Sequence, residues 1–126
     1  MYTVADVMTS PVITIAPEAT VSAAMKEMKR NEISSLIVAL PDSKLGILTQ
    51  RDVIGKVVAA GLDTQSVTVG EICTSPVATI GPGTSLRECS AHMMDLKVRR
   101  LPVVDERGQL QGIITETDIF VAVEER

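Results

Sequence analysis

The chain of 126 residues contains one pattern written twice. Residues 9–17 read TSPVITIAP, and residues 74–82, at an offset of 65, read TSPVATIGP. A repeat of this length is typical of a small supersecondary unit that buries its apolar face against a neighbour. We therefore predict two units, at residues 1–62 and 63–126.

The two copies share one order of predicted elements. A short helical turn (4–8 and 69–73) ends at Thr-Ser-Pro, because proline disfavours helix in the residue before it. A short extended piece, an amphipathic helix, two strands and a last helix follow. Thr20 is the predicted N-cap of the first amphipathic helix, and Thr84 or Ser85 caps the second. The predicted fold class is α+β.

Each unit thus has the order β-α-β-β-α, with helices on one face of a three-stranded sheet. A unit of about 60 residues has only a marginal core of its own. We therefore expect the two units to pack sheet to sheet about a pseudo-two-fold axis, with their strand-to-helix junctions facing a shared groove.

The junction between the last strand and the last helix is the segment richest in chemistry. It reads GILTQRD at 46–52 and GIITETD at 112–118. Thr49 with Asp52, and Thr115 with Asp118, have the spacing of a capping box that satisfies free backbone N–H groups. Alternatively, the helix N-terminus and threonine bind a phosphate while the aspartate accepts hydrogen bonds from a sugar diol. The duplication favours the second interpretation.

Composition excludes several classes of function. The net charge of −4 argues against nucleic acid or an anionic membrane as partner, and 2% aromatic residues leave almost no stacking platforms. No apolar run approaches the roughly 18 residues of a membrane span. Cys73, Cys89 and the single His92 lack the spacing of a metal site, so no metal ligands are predicted. Buried, inert thiols and a cytoplasmic location are expected.

Three motifs together resemble a known family. They are MTSPV at 8–12, RLPVVD at 100–105 and the two Gly-h-h-Thr-x-x-Asp segments, where h is apolar. Each unit resembles a CBS domain, and the pair resembles the tandem arrangement called a Bateman module. The resemblance covers essentially the whole chain, which looks like a stand-alone pair without a catalytic domain. It implies a regulatory module rather than an enzyme, and no catalytic residue is predicted.

The resemblance implies an adenosine-containing ligand such as AMP, ADP or ATP, and in some relatives NAD or S-adenosylmethionine. By position in the motif, Asp52 and Asp118 would hold the ribose hydroxyls, and Thr49 and Thr115 would contact phosphate. No cofactor is required, although Mg²⁺ can accompany ATP.

The family's second element, often Gly-x-h-Pro, lies before the middle strand and beside the base. It reads Arg99-Arg100-Leu101-Pro102 in the second copy and Ser34-Ser35-Leu36-Ile37 in the first. Ser34 and Pro102 are therefore candidate residues beside the base, and Thr14 and Thr79 are candidate contacts to its edge.

Three arginines are candidate phosphate ligands, because a planar guanidinium suits phosphate. They are Arg99, Arg100 and Arg51, the last of which aligns with Thr117, a further candidate. The alternative for the arginines is a solvated surface or ion pairing with Asp52, Asp105 or Glu106.

Two functions remain open. The first is a nucleotide-sensing module that modulates an unidentified protein target, which requires different ligand affinities in two states. The second is a ligand-free structural or dimerisation module. The resemblance implies a homodimer through the helices that follow each aspartate. Their apolar candidates for this contact are Ile54, Val57, Val58, Phe120 and Val121.

Overall fold

The computed structural model describes residues 2–125. The mixed α+β content is confirmed, and so is the predicted order of elements, except for the opening strand of the second repeat. A π-helical turn at Ile54–Val58 extends the third helix. The first repeat contains α1 Val4–Val7, β1 Thr14–Ile15, α2 Val21–Asn31, β2 Ser35–Ala39, β3 Leu45–Thr49 and α3 Gln50–Val53. The second contains α4 Val69–Ile72, α5 Leu86–Leu96, β4 Arg100–Val104, β5 Leu110–Thr115 and α6 Glu116–Glu124.

The compact units of the structure are divided differently from the repeats. One, the central unit, consists of Ile13–Val77, and the other, the terminal unit, joins the residues up to Val12 with those from Ala78 onward. The boundary predicted between residues 62 and 63 concerns the sequence repeats and stays a prediction. In space, the opening segment of each repeat folds with the body of the other.

The opening segment of each repeat pairs with the last strand of the other repeat. In the central unit, Ile47 of β3 and Thr74 exchange two backbone hydrogen bonds of 2.9 Å. In the terminal unit, Ile113 of β5 and Thr9 do the same at 2.9 and 3.0 Å. The Thr-Ser-Pro segments therefore cover the edges of the two sheets.

The glycine in each junction strand permits this close approach. A Cβ atom on Gly112 would lie 2.8 Å from both the Thr9 carbonyl oxygen and Met8 Sδ. On Gly46 it would lie 3.0 Å from the Thr74 carbonyl oxygen. Any side chain at these positions would push the opening segment away, which explains why both motifs carry glycine.

The two sheets differ at their opening strands. In the central unit, β1 pairs parallel with β2, and β2 pairs antiparallel with β3. In the terminal unit, β4 and β5 pair antiparallel, but the predicted opening strand shortens to one parallel bridge between Ile80 and Val103. The reason is chemical: Ile37 N–H donates to the Ile13 carbonyl at 3.2 Å, whereas the aligned Pro102 has no N–H to donate.

One apolar cluster lies on the helical face of each sheet. The central cluster includes Leu36, Val38 and Leu48, and Val67, Val69 and Ile72 of the following segment complete it. The terminal cluster includes Val4 from the start of the chain together with Cys89 and Ile114. Burial raises the pKa of the Cys89 thiol, in keeping with the predicted inert role. Cys73 is only half-buried.

The long helices begin at the predicted caps. The Thr20 hydroxyl accepts a hydrogen bond from Ala23 N–H at 3.1 Å. In α5 the cap is Ser85, not Thr84, since the Ser85 hydroxyl accepts from Glu88 N–H at 3.1 Å.

Candidate functional site

Each strand-to-helix junction is closed by a complete capping box. The Thr49 hydroxyl accepts from Asp52 N–H at 3.1 Å, and Asp52 Oδ2 accepts from Thr49 N–H at 3.0 Å. Thr115 and Asp118 repeat both bonds at 3.1 and 3.0 Å. The capping role predicted from spacing is therefore present in both units. It involves one oxygen of each carboxylate, so the cap leaves the other oxygen as a possible acceptor for a ligand.

The residues before the middle strands are held beside these junctions. Gln50 N–H donates to the Ser34 carbonyl at 3.0 Å, and Glu116 N–H donates to the Arg99 carbonyl at 2.9 Å. Arg100 is directly opposite Thr115 in the β4–β5 ladder. The predicted site residues of the two motifs, although distant in sequence, thus come together at one end of each sheet.

Thr14 and Pro102 share a sheet face with the capping threonines. Thr14 is in register with Ile37, two residues along β2 from the residue opposite Thr49. Because side chains alternate along a strand, Thr14 and Thr49 stand on the face opposite the helices. By the same alternation, Pro102 and Thr115 share that face in the terminal unit. Thr14 and Thr79 are exposed, and Pro102 is buried.

The arginines occupy different environments. Arg51 is exposed in the first turn of α3, and Thr117 is exposed at the matching position of α6. Arg99 has an 85% exposed side chain, and its Nε lies 3.8 Å from Glu116 Oε1. Its acidic neighbour is thus Glu116, which was not among the predicted partners. Arg100 is half-buried.

The two aspartates differ in their second oxygen. Asp52 Oδ1 lies 3.3 Å from Lys56 Nζ, and the same ammonium group donates to the Ile72 carbonyl at 2.9 Å. At the position of Lys56 the second repeat has Ala122. Lys56 is not among the residues predicted from sequence, although an acid and a lysine four residues apart on a helix are a known stabilising pair.

A cavity of about 900 Å³ lies at the far end of the terminal sheet. It is lined by the loop 79–84, by Glu88 of α5 and by the β4–β5 turn. Thr79 is the one predicted site residue in this lining. Because the cavity adjoins Val104, at the opposite end of β4 from Arg100, it is separate from the Asp118 junction.

The helices after each aspartate expose most of the predicted apolar residues. Ile54 and Val58 are more than half exposed, and Phe120 is 73% exposed. Val57 was wrongly placed in this group: it is fully buried in the central cluster. It lies on the inner face of the helix, toward Val53.

Two further expectations concern metal-binding clusters and membrane-spanning helices. Within residues 2–125, no cluster of three or more His, Cys, Asp or Glu side chains has the geometry to hold a metal ion. In that same part of the chain, every helix is too short or too polar to span a bilayer.

A duplicated α+β unit with a Thr/Asp junction in each copy defines a tandem-repeat module. The chain belongs to the CBS-domain family: the model of the CBS domain matches residues 4–59 and again 69–125.

Two relatives align over nearly the whole chain. Hypoxic response protein 1 of Mycobacterium tuberculosis is 36% identical over 120 residues, covering 94% of this chain and 83% of that protein. The CBS domain-containing protein YhcV of Bacillus subtilis is 33% identical over 121 residues, covering 96% and 85%.

Solved structures share the fold. A hexameric CBS-CP12 protein from bloom-forming cyanobacteria matches with a TM-score of 0.88 at 32% identity, covering 94% of this chain and 66% of that one. CBSX2 in complex with AMP matches at 0.81 and 26%, covering 99% and 98%. A CBS domain pair in complex with 5′-methylthioadenosine and S-adenosyl-L-methionine matches at 0.86 and 27%, covering 98% and 97%.

Proposed function

We propose that this chain is a regulatory module that binds an adenosine-containing ligand at its Thr/Asp junctions and signals that binding to a protein target. The observation that carries the proposal is the doubled junction. In each unit, Oδ2 of an aspartate accepts a hydrogen bond from a threonine N–H. The residue just before the middle strand, Ser34 or Arg99, is held beside this junction by a backbone hydrogen bond.

The ligands of the related structures point to the chemistry of recognition. AMP carries a phosphate, and S-adenosylmethionine carries a sulfonium instead. Their shared part is adenosine, so recognition of the ribose by Asp52 and Asp118 is the contact most general to such ligands. A carboxylate accepts charge-assisted hydrogen bonds from both hydroxyls of a cis-diol. Phosphate, where present, would meet the threonine hydroxyl and the helix N-terminus.

Isothermal titration of nucleotide-free protein with AMP, ADP, ATP, NAD and S-adenosylmethionine tests the proposal. We expect at least one to bind, and we expect Asp52→Asn or Asp118→Asn to weaken that binding about ten- to a hundredfold. This range corresponds to hydrogen bonds to a charged group. Asparagine retains an oxygen for the cap, so the helix start is preserved.

A matched control is available in α1. Asp6 Oδ2 accepts from Thr3 N–H at 2.9 Å, in the same Thr-x-x-Asp geometry. Hydrogen bonds from the Thr3 N–H, which has the larger effect, and from the Thr3 hydroxyl hold the pKa of Asp6 below its usual range. Asp6→Asn makes the same change in an aspartate that accepts the same bond outside the proposed sites, and it should leave affinity unchanged. Absence of binding to the whole panel, or an equal loss in Asp6→Asn, would remove the proposal.

The alternative is a ligand-free dimerisation module. The exposure of Ile54, Val58 and Phe120 on the helices after the junctions favours it. Sedimentation velocity of Phe120→Glu and Ile54→Glu, with Met94→Glu as an exposed apolar control on α5, measures the contribution of these faces. A dimer that is lost only in the first two variants, in a protein that binds none of the panel, would favour the alternative.

A further inference from the structure

We propose that Lys56 makes the two junctions unequal, so that the terminal junction at Asp118 is the stronger adenosine site and the central junction at Asp52 is the weaker one. This inference rests on the proposed function and adds which of its two sites fills first.

Both oxygens of the Asp52 carboxylate are engaged. Oδ2 accepts from the N–H and from the hydroxyl of Thr49, each at 3.0 Å. Oδ1 faces the Lys56 ammonium group at 3.3 Å. The Asp52 side chain is only 15% exposed, so an incoming diol has to compete with Lys56 for the remaining acceptor positions.

A second acceptor holds Lys56 in this place. Its ammonium group donates to the carbonyl of Ile72, the last residue of α4, at 2.9 Å. Free carbonyls at a helix C-terminus attract cations. Lys56 also lies within the π-helical turn Ile54–Val58, and such turns are frequent at functional sites. The lysine is therefore fixed between α4 and the carboxylate.

The terminal junction has no lysine at the position that corresponds to Lys56. Ala122 aligns with Lys56, and α6 is α-helical through that position. Asp118 Oδ2 accepts from Thr115 N–H at 3.0 Å, and no ion pair in residues 2–125 involves Asp118. Its Oδ1 can accept a ribose hydroxyl without displacing a cation.

The size of the effect follows from the exposure of the pair. Lys56 is 49% exposed, so solvent screens its attraction to Asp52. Ion pairs of this kind change an equilibrium by about two- to fivefold. We expect loss of the Lys56 charge to tighten adenosine binding at the central junction by that factor.

Adenosine is the appropriate probe, because it is neutral and Lys56 cannot attract it through a phosphate. The Asp118→Asn protein reports the central junction alone. Into it we would introduce Lys56→Met, which keeps an apolar side chain of similar length, and separately Lys26→Met, an exposed lysine of α2. Calorimetric titration should show tighter binding, by about two- to fivefold, for Lys56→Met only. Asp52→Asn, which reports the terminal junction, should bind adenosine more tightly than Asp118→Asn.

Lys56→Gln in the same background is the second variant, since glutamine is neutral and can still donate to Ile72. Thermal unfolding identifies the variants that are folded. If Lys56→Met does not fold, adenosine binding to Lys56→Gln tests the inference. Unchanged or weaker adenosine binding in the folded variant would overturn this inference but not the proposed function. Absence of binding to adenosine and to every ligand of the panel in the unsubstituted protein would overturn the proposed function with it.

Discussion

Single residues determine the hydrogen bonds of each junction. The bonds between residues close in sequence can be predicted from the sequence. Thr115 and Asp118 are three residues apart, and their reciprocal hydrogen bonds are those of the predicted capping box. Lys56 is different. Its carbonyl partner, Ile72, is 16 residues away, beyond a loop whose course no local pattern predicts. The spacing of Lys56 from Asp52 was visible, but not the acceptor that holds it there.

The junction glycine provides a prediction at this scale. We expect Gly112→Ala to lower the free energy of unfolding by about 1–3 kcal/mol, because its Cβ would lie 2.8 Å from the Thr9 carbonyl oxygen. Gly55→Ala is the control, since its Cβ meets nothing within 4 Å. Because residue 55 is helical, this substitution should raise the free energy of unfolding by about 0.5–1 kcal/mol. Urea unfolding measures both, and a neutral Gly112→Ala would contradict the close packing of residues 8–9 on β5.

Strands and helices followed their apolar patterns closely, and the main departure has an identifiable cause. The opening strand of the second repeat keeps one bridge, at Ile80, where the first repeat has a two-residue strand. The difference lies at Pro102, which the resemblance associated with the ligand rather than with the ladder. A proline inside a strand weakens its pairing on one side. Pro102 therefore costs the terminal sheet one backbone hydrogen bond.

Pro102→Ile should restore that bond. The new N–H at residue 102 can donate to the Ala78 carbonyl, as Ile37 donates to Ile13 at 3.2 Å. Amide hydrogen exchange followed by NMR should find residue 102 protected to about the degree of Ile37. In the reverse substitution, Ile37→Pro should weaken the β1–β2 pairing. Exchange at residue 102 as fast as in a loop would show that proline is not what shortens the strand.

At the scale of the whole molecule, the repeats and the compact units are different divisions of one chain. The central cluster is completed by Val67, Val69 and Ile72, which belong to the second repeat by sequence. The terminal cluster is completed by Val4 of the first. A piece of the chain cut at the repeat boundary therefore lacks part of its core.

Two fragments of similar length test this division. We expect residues 13–77 to retain more helical circular dichroism and to unfold at higher urea concentration than residues 1–62. The shorter fragment lacks Val67, Val69 and Ile72, and burial of each such side chain contributes about 1.5–3 kcal/mol. A fragment 1–62 as stable as 13–77 would mean that the repeat, not the compact unit, is the folding unit.

The amino-acid sequence by itself determined the repeat, the order of elements, the capping boxes and the membership of the family. These depend on local spacing: three residues for a cap, two for a strand face, 65 for the repeat. Tertiary structure alone decided which opening segment joins which sheet. Residues 9–11 and 74–76 have the identical sequence Thr-Ser-Pro, so either can pair with either strand edge. Only the path of the connecting chain and the packing of neighbouring apolar side chains select Thr74 for β3 and Thr9 for β5.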